Sequence, residues 1–251
     1  MTIVVLLADP PREGLVGTEL AESTPLSPAE AADLYEALLR DVVLAVDRSG
    51  GDLLVNYPDE GAIPAAHRTE TSPEAALRAV VADTLGGTED VRFEPQVGSS
   101  FDARAGNTVT HLLREEGADS VAVVTPAASL LSRRVIDAAA MKLRTNGVVL
   151  GPSSRGRTYY AGFTEPIDFA GAFDAPSVAT LATRGRDAGL DVEFVESLPS
   201  VESGDDLLDV IPLLRARVAA ERIVPDHLAA FVYDHGIDVV FEDGAERIVR
   251  D

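Results

Sequence analysis

The chain has 251 residues, 42 of them acidic and only 21 basic, for a formal net charge of −21. A hydrophobic fraction of 46% is enough to close a core in a chain of this length, and the acidic excess disfavours nucleic acid, which is bound by neutralising phosphates with Lys and Arg. Cysteine is absent, which excludes disulfides, thiolate metal sites and thiol nucleophiles.

In chain order, Thr2 to Ala8 is a continuous apolar run of the kind found in a strand covered on both faces. A Pro- and Gly-rich loop of about 20 residues follows, long enough to suggest a functional segment. Ser27-Pro28-Ala29-Glu30 then opens a helix with a cap, a first-turn proline and a capping-box glutamate. Leu34, Leu38, Val42 and Val46 continue it at helical spacing. Asp52 to Tyr57 is the second strand, Ser72-Pro73-Glu74 starts a helix running to about Leu85, and Val91 to Gln96 is a strand. A helix from Asn107 to Glu116 stops at Gly117. The strand Ser120 to Val124 and the helix Ser132 to Arg144 come next. Gly147 to Leu150 and Thr158 to Phe163 are strands flanking a Gly-Pro loop. The helix Pro176 to Ala188, the strand Val192 to Val195 and the helix Asp205 to Glu221 follow. The end of the chain reads as a helix, Pro225 to Tyr233, and a hairpin turning at Asp243-Gly244.

Strands alternating with helices predict a mostly parallel α/β sheet, with ligands at the carboxyl ends of the strands. The expected division is an α/β domain over 1–213 and an appendage over 214–251, the latter an edge addition or a homo-oligomer contact. No run approaches the roughly 18 apolar residues of a membrane span, and the N-terminus lacks the basic region of a signal peptide. The expectation is therefore a cytoplasmic protein without membrane or nucleic-acid partners.

Four segments meet at the ligand edge on this reading: the loop after Ala8, the turn after Val124, the loop after Leu150, and the stretch from Ser200 to Asp206. Gly14 to Thr18 is neither a Walker loop nor a dinucleotide fingerprint, because the lysine and the glycine spacing are wrong. Arg155 and Arg157 flank Gly156 and make a local positive spot suited to carboxylate or phosphate, or else pair with nearby acids. Asp205 and Asp206 stand at a helix start and read as caps, which leaves Glu202 as the better metal candidate. His67, His111, His227 and His235 are scattered singly, and no nucleophile elbow surrounds Ser129 or Ser132.

The segment Gly147 to Phe163, GVVLGPSSRGRTYYAGF, resembles the strand, Gly-Pro loop and strand of a GT-A-fold transferase family of unknown function. That family is often labelled selenodomain-associated transferase, and is related to 2-phospho-lactate guanylyltransferase and MobA-like nucleotidyltransferases. PREGLVGTEL, SPAEAADLYEALLRD and the end of LPSVESGDDL resemble it too, so that the likeness covers roughly residues 2 to 213. It implies a Rossmann-like GT-A (nucleotide-diphospho-sugar transferase) fold, a mostly parallel mixed sheet with helices on both faces. It also implies a nucleotide or nucleotide-sugar partner and a divalent cofactor, Mg²⁺ or Mn²⁺. The implied binding positions are Gly14, Thr18, Gln96, Arg104, Gly151, Pro152, Arg155 and Arg157, with Glu202 as metal ligand.

The chain departs from the family pattern at charged positions. Gly17 and Glu19 stand where the first loop carries lysine and arginine, and Thr125-Pro126-Ala127 follows Val124 where a metal-binding aspartate is normal. Arg155, Gly156 and Arg157 replace Asp-Gly-Gly, and Ser200-Val201-Glu202 replaces Asp-Val-Asp. Gln96 and Arg104 keep the spacing of a family pair. A triphosphate needs several positive groups and a metal to offset its charge. The expectation is a family-like protein that is non-catalytic or binds a small anion or nucleotide in an altered way. The alternatives are an active nucleotidyl- or glycosyltransferase, or an unrelated flavodoxin-like or Rossmann domain.

Lys142 is the only lysine, and the acids are spread along the whole chain. At molar salt the Debye length falls to about 3 Å, which screens their mutual repulsion, so a halophilic protein is expected. Its melting temperature should rise steadily from dilute buffer into molar KCl; a melting temperature independent of salt would contradict this reading.

Overall fold

The computed structural model describes residues 1–242 and 244–250. Asp243 of the expected hairpin turn lies outside the described residues. Successive side chains of a strand point to opposite faces, and in β1 (Thr2–Leu7) both sets are apolar. Val4 and Leu6 enter one core, with β2 (Asp52–Tyr57) and the helices α2 (Pro28–Asp47), α3 (Pro73–Leu85) and α5 (Arg133–Lys142). Val5 and Leu7 enter the opposite core, with α4 (Phe101–Arg114) and α6 (Ser177–Asp187). The sheet is therefore covered on both faces, as its apolar runs predict.

The remaining strands of this sheet are β3 (Arg92–Pro95), β4 (Ser120–Val124), β5 (Val148–Pro152), β6 (Thr158–Phe163) and β7 (Val192–Phe194). Their order is β3-β2-β1-β4-β6-β5-β7. All neighbours are parallel except β6, which runs antiparallel to both β4 and β5. The result is a mostly parallel mixed sheet. The start of β6 thereby lies beside the carboxyl ends of β4 and β5.

The long loop after β1 is partly helical: Thr18–Ser23 forms α1, with Leu20 buried beneath it. Short 3-10 turns at Glu60–Ala62 and Ala65–His67 also have no periodic signature. Helix α4 begins six residues before its expected start. Ser100 caps it by accepting the Ala103 N–H at 3.2 Å, and Asp102 sits in its first turn. The capping box of α2 forms as expected, with Ser27 and Glu30 each accepting the other's backbone N–H.

A third core joins α1 and α2 to α7 (Gly204–Ala219), α8 (Asp226–Asp234) and the hairpin β8 (Ile237–Glu242) and β9 (Ala245–Arg250). Residue 213 falls within α7, whose Leu207, Val210, Ile211 and Leu214 share this core with Leu34 and Leu38 of α2. No described helix is long and apolar enough to cross a membrane.

Helix α8 has no side-chain cap of its own, because Pro225 precedes it. Asp41 of α2 supplies one from a distance: its carboxylate accepts the N–H groups of His227 at 3.0 Å and Leu228 at 2.8 Å. Asp41→Ala should cost about 1–2 kcal/mol in urea unfolding and raise amide exchange in α8 before the central sheet. Equal exchange rates in both proteins would rule out this capping role.

Candidate functional site

A crevice of 390 Å³ opens at the carboxyl end of β4 and the start of β6. Val123, Val124 and Ala161 contribute apolar surface from the sheet, and Phe101 and Phe173 meet edge to face at 5.1 Å beside it. Thr125, Thr158 and Ser177 supply hydroxyls, and Arg157, Asp174 and Glu202 supply charge. Clefts of this size and mixed lining commonly hold small molecules.

Arg157 is nearly saturated by partners in its own chain. Its Nη1 contacts Asp206 Oδ2 and Glu202 Oε2, both at 3.1 Å, and its Nη2 donates to Asp206 Oδ1. Nε donates to the Ser154 carbonyl at 3.3 Å. A guanidinium has five N–H groups, so at most one is left for a ligand. Arg155, in the left-handed region at φ 57°, reaches outward to Asp205 at 2.8 Å.

Asp206 is 2% exposed and accepts, besides Arg157, the backbone N–H groups of Glu202 and Ser203 and the Ser203 hydroxyl, each at 3.0 Å. The expected cap at the start of α7 is therefore present, and the same carboxylate anchors the turn between β5 and β6. Burial pushes the Asp206 carboxyl up. The Arg157 hydrogen bonds, the two backbone donors and the Arg157 charge outweigh it and hold the carboxyl below its ordinary 3.8.

Gln96 and Arg104 meet as their spacing suggests: Arg104 Nη1 donates to Gln96 Oε1 at 2.9 Å. Gln96 is fixed in turn by donating from Nε2 to the Asn56 carbonyl at 2.7 Å. Arg104 Nε bonds the Ser100 carbonyl, and these are its only hydrogen-bond partners among the described residues. Two of its five N–H groups are thus used, and three remain. Nearby Asp9, at the end of β1, has its carboxyl raised by burial, against the pull of the Arg104 charge. Its N–H donates to Tyr35 Oη at 2.9 Å.

The other sequence-nominated positions do not line the crevice. Gly14 has φ +72°, and a Cβ there would meet the His67 ring at 2.9 Å. Gly17 has φ +64°, and a Cβ would lie 2.6 Å from the Ala31 carbonyl, so the close approach of α2 leaves no room for a lysine in this backbone. Thr18 is exposed at the start of α1. Gly151 packs its Cα against the Tyr159 ring, and the Pro152 carbonyl accepts the Leu198 N–H. Of the nominated residues, Arg157 and Glu202 line the crevice; Arg155 stands beside them, and Gln96 and Arg104 form a separate pair. Asp9, Phe101, Phe173 and Ser177 were not singled out from sequence. Only the position of Asp9 directly after an apolar strand could have signalled one of them.

The donor set does not fit the divalent ion that the resemblance implies. Thr125, Pro126 and Ala127 place no carboxylate after β4, and the Glu202 and Asp206 carboxylates both face the Arg157 guanidinium. Among the described residues no group of three or more His, Asp or Glu side chains could hold a metal. Glu202, expected as a metal ligand, is an ion-pair partner in this structure.

A carboxyl held low in the folded state adds stability above its unfolded value and loses it as pH falls through the folded value. Asp206 should therefore contribute fully above 3.8 and progressively less below it. Asp206→Asn should be less stable than the wild type at neutral pH, with a shallower loss on acidification. Parallel acid-unfolding curves would contradict the assignment.

No protein-family model matches the sequence, and no curated protein matches it. Solved structures do share the fold. A protein from Desulfovibrio desulfuricans G20, described as a nucleotide-diphospho-sugar transferase, superposes with a TM-score of 0.72 at 19% identity, over 93% of this chain and 94% of its own. A cytidylyltransferase from Leptospira borgpetersenii serovar Hardjo-bovis (strain JB197) gives 0.50 at 7% identity, over 93% and 94%. The 4-diphosphocytidyl-2C-methyl-D-erythritol synthase of Anaerococcus prevotii DSM 20548 gives 0.50 at 11% identity, over 86% and 96%. The mixed strand order and these neighbours together give the chain the fold of nucleotide-diphospho-sugar transferases.

Proposed function

We propose that this protein binds a nucleotide or nucleotide sugar in its crevice without metal-dependent transfer. The observation that carries the reading is the pairing of Glu202 and Asp206 with Arg157, together with the missing carboxylate after β4. A triphosphate brings several negative charges, and its transfer draws on multiple cations. Here Arg157 is engaged by its own chain, while Glu202 and Asp174 add negative charge to the crevice wall. Arg104, which stands one helical turn after Phe101 of the crevice wall, keeps three N–H groups for a phosphate or carboxylate group of a ligand that extends beyond the crevice lining. The hydroxyls of Thr125, Thr158 and Ser177 suit neutral polar parts of a ligand, and the Phe101–Phe173 wall suits a ring.

The second reading, an active nucleotidyl- or glycosyltransferase, draws on the same crevice and fold. Calorimetric titration in molar KCl separates the two, using a nucleoside monophosphate, a nucleotide sugar and a nucleoside triphosphate, each with and without Mn²⁺. The expected result is binding unaffected by Mn²⁺, weakest for the triphosphate, and about ten- to a hundredfold weaker in Arg104→Ala. Mn²⁺-dependent product formation would favour the transferase, and failure of every compound to bind would overturn both.

A further inference from the structure

We infer, resting on the nucleotide-sugar reading above, that the crevice takes an amino sugar and that Asp174 is the carboxylate that pairs with the ammonium group of that sugar. The charged side chains of the lining are Arg157, Asp174 and Glu202. Arg157 is matched by Asp206 and Glu202, so it offers a ligand no uncompensated positive charge. Asp174 is exposed on the crevice wall, and its carboxylate has no hydrogen-bond or ion-pair partner among the described residues. A phosphate is repelled by such a lining, whereas an ammonium group is attracted to it.

The rest of the lining suits a sugar ring. Phe173, the residue before Asp174, is held from two sides. Its N–H donates to Asp102 Oδ1 at 2.7 Å, and its ring meets Phe101 edge to face and lies parallel to Phe169 at 6.4 Å. The Asp174 carboxylate therefore follows directly on an anchored residue, beside an apolar wall of ring size. Thr158 accepts the Ser177 hydroxyl at 3.1 Å, which leaves its own proton to donate. The Thr125 hydroxyl lines the same crevice and has no protein partner among the described residues. Hydroxyls both donate and accept, and so match the hydroxyls of a sugar. An apolar wall, unspent hydroxyls and one unspent carboxylate together complement a pyranose that carries an amine. The phosphate of a nucleotide sugar then falls to Arg104, outside the lining.

The test is ligand-observed NMR and calorimetry in molar KCl at slightly acidic pH. The probes are glucose, N-acetylglucosamine and glucosamine, each as the free sugar and as its UDP derivative. Glucosamine should bind about tenfold tighter than glucose in both forms. N-acetylglucosamine, which is larger but uncharged, should bind like glucose. Asp174→Asn keeps the side-chain shape and breaks no contact within the protein, so it should melt with the wild type and show no preference for the amine. Raising the pH past the titration of the sugar amine should remove the preference in the wild type as well. Equal binding of glucose and glucosamine, N-acetylglucosamine binding as tightly as glucosamine, or a preference that survives Asp174→Asn would overturn the assignment. Binding of the UDP sugars in such a case would leave the nucleotide reading standing. A preference for free glucosamine that depends on Asp174, with no UDP derivative bound, would support the amino-sugar assignment and overturn the nucleotide reading instead. Failure of every probe to bind would overturn both.

Discussion

A carboxylate taken out of water needs partners, and one wall of the crevice depends on how Asp206 finds them. Five hydrogen bonds converge on its two oxygens, from Arg157, the Ser203 hydroxyl and the N–H groups of Glu202 and Ser203. They join two pieces of chain that are far apart in sequence: the turn between β5 and β6, and the start of α7 with the residues just before it. The cap that starts α7 and the clamp that positions Arg157 are the same carboxylate. Nearby, the buried hydroxyl pair Ser153–Ser200 at 2.9 Å closes the two segments together.

This clamp changes what the arginines of the loop mean. A guanidinium beside glycine at a ligand edge suggests phosphate recognition, but recognition requires unspent donors. Arg157 has spent nearly all of its own inside the protein, and Arg155 points to Asp205. Arg104 has not, because among the described residues only Gln96 and the Ser100 carbonyl hold it. In a chain with 42 acids and 21 basic residues, an arginine at a ligand edge is informative only once its own-chain partners are known.

Much of the architecture was legible in the sequence for local reasons. Apolar runs such as Val4 to Leu7 and Val121 to Val124 identify strands buried on both faces, and Ser27 to Glu30 writes a helix start in four residues. The missed pieces lack such signals. Helix α1 is six residues long, follows a left-handed Gly17 without a side-chain cap, and buries one leucine. The early start of α4 hangs on Ser100, one of several small polar residues in that stretch, and on Phe101 meeting Phe173, 72 positions further along. The charge loss at Gly17 and the reversal at Glu19 were visible from the resemblance; that Gly17 is pressed against the Ala31 carbonyl was not.

By itself, the sequence determined the alternation of strands and helices and several of the caps, because each follows from periodicity or local hydrogen bonding; the Gln96 and Arg104 spacing was legible only through the family resemblance. Only the tertiary structure decided which acid meets which arginine. Arg157 and Asp206 are 49 positions apart, and the helix start that marks Asp205 and Asp206 as caps does not say which of them meets which arginine. The choice was made by packing. The antiparallel β6 brings its first residues to the end of β4, α7 docks its N-terminus against them, and the buried Asp206 carboxylate is left with Arg157 as the charge that offsets its desolvation.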